Sequence, residues 1–173
     1  MLIFLEGNEC CFKSTVAEKL SQITGFDIVK GSSFEQSKAP NDVLYDNFTR
    51  MLTLDDTIID RYIFSNLVYA NLYKDFSIIN NTQRIHIENE MIKKKALIVY
   101  LHADVDVLKQ RMRERGDEYV KEDRLKEINE MYEEVLETTT VPLLRINTEF
   151  MSSNDITKYL YNLVWTPWFL EET

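Results

Sequence analysis

Residues 2–15 read Leu-Ile-Phe-Leu-Glu-Gly-Asn-Glu-Cys-Cys-Phe-Lys-Ser-Thr. Leu2 to Leu5 form the short apolar run that a buried strand needs, and a helical pattern follows Thr15. Between them Gly7 is spaced from Lys13-Ser14 as in the frame Gly-x-x-x-x-Gly-Lys-Ser/Thr, with Phe12 where that frame has its second glycine. The frame gathers backbone N–H groups and a helix N-terminus around one anion. Gly7, Asn8, Glu9, Cys10, Cys11, Phe12, Lys13, Ser14 and Thr15 are therefore expected to cradle the phosphates of a nucleotide, ATP in the first instance. Lys13 would reach the β- and γ-phosphates, and the Ser14 hydroxyl would hold Mg²⁺. Glycine before the lysine lets backbone approach phosphate closely, so the Phe12 ring must turn away from the anion.

Outward from this loop, strand and helix signals alternate. Val16, Leu20 and Ile23 recur at helical spacing up to Gly25, a good helix stop. Phe26 to Val29 reads as a second strand and 30–41 as a loop. Leu44, Phe48, Met51 and Leu52 mark a helix. Thr57-Ile58-Ile59 is a third strand ending at Asp60, and a helix over Leu67, Val68 and Leu72 follows. Residues 82–95 read as a helix with Ile85, Ile87, Met91 and Ile92 partly buried. Ala96 to Leu101 is an almost wholly apolar fourth strand, as in a sheet covered on both faces. Helices follow from Val107 and from Leu125, then a fifth strand at Leu143 to Ile146 and a last helix after Ser152-Ser153-Asn154. The pattern predicts an α/β fold: a five-stranded parallel sheet with helices on both faces, as one domain over 1–173. Ligands in such sheets bind beyond the carboxyl ends of the strands. The loop, Asp60-Arg61 and His102 to Asp104 all fall at such ends.

Composition narrows the partners. The chain has 173 residues, 45% of them hydrophobic, which suits a globular core. Holding nucleic acid needs a basic face, and a net charge of −9 argues against that partner. The strand signal begins at Leu2, without room for a leader, and no apolar run approaches membrane-spanning length. A cytoplasmic protein with no membrane partner is the expectation. The two cysteines, Cys10 and Cys11, are adjacent and cannot staple distant segments. They read as small loop residues, with a redox-sensitive loop as the lesser alternative.

Phosphoryl transfer needs a phosphate cradle, a Mg²⁺ site, cations for developing charge, and exclusion of water. Asp60, at a strand end beside the loop, is the expected second Mg²⁺ contact. Arg61 can clamp phosphate oxygens. The charged stretch 109–124 reads as a helical lid hinged near Gly116, whose Arg111 and Arg115 share one helix face. Lys13, Asp60, Arg61, Arg111 and Arg115 are thus the catalytic candidates, and Ser14 and Asp60 the metal candidates. His86 and His102 read as structural. The aromatic segment 165–170 reads as a cover over the core, with a homodimer contact as the alternative.

These motifs resemble the P-loop kinases of the thymidylate kinase and deoxynucleoside kinase group. The resemblance rests on Leu5-Glu6-Gly7-Asn8-Glu9 through Thr15, and on Asp60-Arg61-Tyr62-Ile63-Phe64-Ser65 with Tyr69, which is similar to the Asp-Arg-Tyr/Phe-x-x-Ser segment of thymidylate kinases. It implies a three-layer kinase fold. It also implies an acceptor site at Glu9, Arg61, Ser65 and Tyr69, with Glu9 near the sugar and Tyr69 near the base. Lys30 to Glu35 departs from the Arg-Glu-Pro signature of thymidylate kinases, and Glu35 is the counterpart to test for the general base of deoxynucleoside kinases. The expected activity is ATP-dependent phosphorylation of a deoxynucleoside monophosphate. The alternatives are a deoxynucleoside acceptor, or a degenerate nucleotide-binding module without turnover.

Overall fold

The computed structural model describes residues 1–31, 36–116 and 122–165. Five strands form one parallel sheet: β1 (Leu2–Gly7), β2 (Asp27–Lys30), β3 (Thr57–Asp60), β4 (Leu97–His102) and β5 (Leu143–Asn147). Their order across the sheet is β2-β3-β1-β4-β5. The helices are α1 (Lys13–Thr24), α2 (Asn41–Met51), α3 (Ile63–Leu72), α4 (Asn81–Lys93), α5 (Val105–Arg115), α6 (Arg124–Glu137) and α7 (Ser153–Trp165). The expected five-stranded parallel sheet is present. Of the lid expected over 109–124, α5 and the start of α6 are described and 117–121 lie outside the described residues. Of the aromatic cover, only Trp165 is described, against Phe26 with ring centroids 5.3 Å apart.

The apolar runs explain the order. Leu2 to Leu5 and Ile98 to Leu101 are buried throughout, because β1 and β4 are central and have neighbours on both edges. β2 has one neighbouring strand and is mostly exposed. β1 pairs with β3 on one side, Leu5 opposite Asp60, and with β4 on the other, Gly7 opposite Leu101. The ends of β3 and β4 therefore flank the loop that leaves β1. Gly7 is required there: its φ is +142°, and a Cβ would lie 2.1 Å from the Leu101 carbonyl oxygen.

Helical periodicity places the cover, with exceptions on outer faces. Val16 and Leu20 of α1 are buried, but Ile23 is 51% exposed. Ile87 and Met91 of α4 are buried, whereas Ile85 and Ile92 face outward. α3 begins at Ile63, four residues ahead of the first apolar position expected for it. Its early start has a cause: the Glu6 carboxylate accepts the N–H groups of Tyr62 at 2.9 Å and Ser65 at 3.3 Å, so a strand side chain caps the helix. Among the described residues, no helix is long and apolar enough to cross a membrane.

Candidate active site

The turn from β1 to α1 uses left-handed backbone at two non-glycine residues. Cys10 has φ 57°, and Phe12 has φ 65° and ψ 7°. Phe12 thus adopts the conformation for which the usual glycine is chosen, at a cost of about 1–2 kcal/mol. The half-buried ring packs against the core, and the Arg111 guanidinium lies 4.2 Å above its centroid. Arg111 is itself tied down. It donates to the Thr148 hydroxyl at 2.8 Å, the Thr148 carbonyl at 2.7 Å and the Cys10 carbonyl at 3.3 Å. The bulky residue in the loop is therefore clamped from α5 and from the end of β5.

Phe12 is also the N-cap of α1 and supplies no capping side chain. The first-turn N–H groups of α1 therefore receive no bond from the N-cap side chain, the arrangement an anion site needs. Lys13 is buried beside them and donates to the Asn8 carbonyl. Burial, then the nearby Arg61, pulls its pKa below the ordinary lysine value. Ser14 and Thr15 stand exposed in the same turn. Asn8, fully buried, donates to the Leu125 carbonyl and to Asn129 Oδ1, both at 2.8 Å, and accepts the Glu9 N–H at 2.7 Å.

The end of β3 supplies the next groups. The Ser14 hydroxyl donates to Asp60 Oδ2 at 2.7 Å, while Asp60 Oδ1 is buried with no hydrogen-bond partner. A buried carboxylate oxygen without a donor is costly unless a cation completes it. Asp60 and Ser14 together fit the oxygen-ligand chemistry of a divalent cation such as Mg²⁺, which they would hold from one side. Among the described residues there is no cluster of three or more His, Cys, Asp or Glu able to hold a metal. A cage built wholly from such side chains is thus not found among them.

Arg61 also has left-handed backbone, φ 68°, and its N–H continues the sheet by donating to Leu5. Gly31 packs against it so closely that a Cβ there would lie 2.2 Å from the Arg61 carbonyl oxygen. The Arg61 guanidinium donates to the Gly7 carbonyl at 3.1 Å, to the Tyr132 hydroxyl at 3.4 Å and to Glu9. It lies 5.4 Å from the centroid of the Tyr69 ring, whose hydroxyl donates to Glu9 at 3.1 Å. Burial alone would raise the Glu9 pKa, but Arg61 and then Lys13 hold it below the usual carboxylate value. Arg115, exposed at the end of α5, is near enough to act on Glu9 in the same direction.

Glu9, Arg61 and Tyr69 are thus brought together, next to Lys13, Ser14 and Asp60. Ser65 is not at that surface. It has no exposure, and its hydroxyl bonds to Glu6 and, at 2.7 Å, to the Tyr132 hydroxyl. The structure therefore does not bring Ser65 together with Glu9, Arg61 and Tyr69; its hydroxyl braces α3 from within. Cys11 is buried, and burial pushes its thiol up to about 11, opposite to the lowered value a redox-sensitive loop would require. Glu35 lies outside the described residues. Sequence reading passed over Asn129 and the polar role of Tyr132; helical periodicity marks a buried face, not what a hydroxyl or amide on it touches.

A family model described as deoxynucleoside kinase matches residues 42–166. The chain belongs to the deoxynucleoside kinase family. Within reach of this family it is 47% identical over 163 residues to the SPbeta prophage-derived protein YorR of Bacillus subtilis, covering 94% of this chain and 98% of that one. The crystal structure of YorR in complex with phosphorylated GDP superposes with a TM-score of 0.89, at 46% identity over 95% of each chain. Deoxyadenosine kinase from M. mycoides with bound dCTP gives 0.62 at 21% identity, covering 94% of this chain and 98% of that one. Thymidylate kinase from Candida albicans gives 0.58 at 17% identity, covering 94% and 90%. The last two likenesses establish the P-loop kinase fold that this family shares.

Proposed function

We propose that the protein transfers the γ-phosphoryl group of a nucleoside triphosphate, ATP in the first instance, to a deoxynucleoside monophosphate. The observation that carries the phosphoryl-transfer reading is the buried, unpartnered Asp60 Oδ1 beside Ser14 and the uncapped N-terminus of α1. Family membership and the nucleotide complex of YorR support the same chemistry.

Among the described residues, which do not include Glu35, charge supports the monophosphate as acceptor. A nucleoside hydroxyl must lose a proton to attack phosphorus, and a positioned base assists it. Glu9 is a poor base, because it is ion-paired to Arg61 with its pKa held low. Asp60 is committed to Ser14. A monophosphate instead arrives with its nucleophilic oxygen already ionised, and needs cations to hold it. Lys13, Arg61 and Arg115 are grouped around Glu9.

Each residue then has a task. The α1 N-terminus and Lys13 bind the donor's phosphates. Asp60 and Ser14 would hold Mg²⁺, which neutralises charge on the transferring phosphoryl group when bound. Glu9 and Tyr69 would orient the acceptor sugar and base, and Arg61 its phosphate. Arg111 keeps the loop and the Phe12 ring in place, and Arg115 is the candidate for charge that develops in the transition state.

The second reading is a deoxynucleoside acceptor, favoured by the description of the matching family. ADP formation with Mg-ATP, measured across deoxynucleosides and their monophosphates, separates the two. Turnover with monophosphates and none with nucleosides is expected. The reverse pattern would replace the first reading by the second.

A further inference from the structure

The Glu9–Arg61 pair does not hold itself in place. Arg61 Nη1 reaches the Tyr132 hydroxyl at 3.4 Å. That hydroxyl is anchored by Ser65 at 2.7 Å, and Ser65 in turn by the fully buried Glu6. On the other side, the Glu9 backbone N–H donates to Asn8 Oδ1. Asn8 spends both its N–H bonds on α6, one on the Leu125 carbonyl and one on Asn129, and Asn129 donates to the Ala103 carbonyl at 3.0 Å. Both supports therefore come from one helix. Asn129 and Tyr132 are three residues apart and share a face of α6, and that helix packs along α3.

We infer that Asn129 and Tyr132 are positioning residues: through Asn8 and Arg61 they set where the Glu9–Arg61 pair sits, and so how the acceptor lies against the donor. The inference rests on the reading of Glu9 and Arg61 as acceptor-side groups. A guanidinium with one of its partners removed can rotate about a long side chain, and a small misplacement of a binding group costs disproportionately in rate. Burial makes the supports effective, since water cannot replace a lost hydroxyl at Tyr132, which has no exposed surface.

Tyr132→Phe removes one oxygen atom. In this variant kcat/KM for the acceptor is expected to fall about tenfold, the usual scale for losing a hydrogen bond to a charged group. The donor KM is expected to stay within about twofold. Asn129→Ala should act in the same direction. Ile128→Val, at a buried apolar position of the same helix, serves as the control: it lowers the melting temperature without touching the pair. The Arg61 Nε–H resonance, assigned by its loss in Arg61→Lys, should move in Tyr132→Phe and hold still in Ile128→Val. If the unmodified protein turns over and Tyr132→Phe matches Ile128→Val in acceptor kcat/KM, the inference is overturned. If the unmodified protein phosphorylates neither nucleosides nor monophosphates, the proposed function fails; the Arg61 resonance then decides the positioning by itself, since reading it requires no turnover.

Discussion

Replacing Phe12 by glycine and by alanine measures how an aromatic residue survives in a loop position made for glycine. At φ 65° an L-residue bears about 1–2 kcal/mol of strain that glycine does not. Glycine loses about 0.4–1 kcal/mol of this advantage through the greater freedom of its unfolded chain. Glycine should therefore outperform alanine by about 0.5–1 kcal/mol. Both variants lose the ring. Its half-buried area contributes about 1 kcal/mol, and the Arg111 guanidinium 4.2 Å above it contributes about 0.5–2 kcal/mol more. Phe12→Ala should thus be destabilised by about 2 kcal/mol and Phe12→Gly by about 1 kcal/mol. In a domain of this size that is a drop in Tm of about 4–8 °C and 2–4 °C respectively. Thermal melts of the three proteins at one pH and salt give the order directly. Affinity for ATP, by calorimetry, should be kept in both variants, because the ring is held by Arg111 and the proposed phosphate contacts are made by backbone and Lys13. Alanine as stable as glycine would refute the left-handed strain, and a glycine variant more stable than the native protein would refute the compensating stack.

The remaining predictions address the metal, the thiol and the strand that backs Arg61. Asp60→Asn removes the charge of the oxygen left without a partner. The extra rise in Tm that Mg²⁺ adds to ATP should vanish in a melt, and turnover should drop at least about a hundredfold, several kcal/mol of charge stabilisation being lost; an unaltered Mg²⁺ response would move the metal elsewhere. The buried Cys11 thiol has a raised folded-state value, so its contribution to stability is whole below the ordinary thiol value of 9.0 and is lost as pH rises through about 11. Native Cys11 should resist thiol reagents at neutral pH and react on unfolding, which mass spectrometry of labelled protein will show; fast labelling at pH 7 would contradict its burial. Gly31→Ala places a Cβ 2.2 Å from the Arg61 carbonyl and 2.7 Å from Ile59 Cγ2. It should cost about 1–3 kcal/mol of stability by overpacking, and a neutral melt would mean the close approach is absent.

Much of this site was readable from side-chain spacing. The strand before Gly7, the Lys13-Ser14 step and Asp60 after three β-branched or aliphatic residues are local patterns, and local patterns survive folding because backbone geometry enforces them. Arg61 illustrates where such reading stops. Its position after β3 was legible, but its left-handed backbone and its bonds to Gly7, Glu9 and Tyr132 join segments up to 71 residues apart in the chain. Ser65 shows another limit. The resemblance implies an acceptor-side place for it, and only the folded chain shows its hydroxyl turned inward onto Glu6 and Tyr132.

The amino-acid sequence alone determined the alternation of strands and helices, the parallel sheet that alternation demands, and the loop that ends in a helix N-terminus. These follow from periodicity and from the chemistry of neighbouring residues. Only the tertiary structure decided that β3 and β4 lie on either side of β1, that the Phe12 ring is pinned under Arg111, and that α6 supports the Glu9–Arg61 pair. Those outcomes depend on which buried surfaces meet, and a contact between residues a hundred positions apart leaves no trace in the spacing of either.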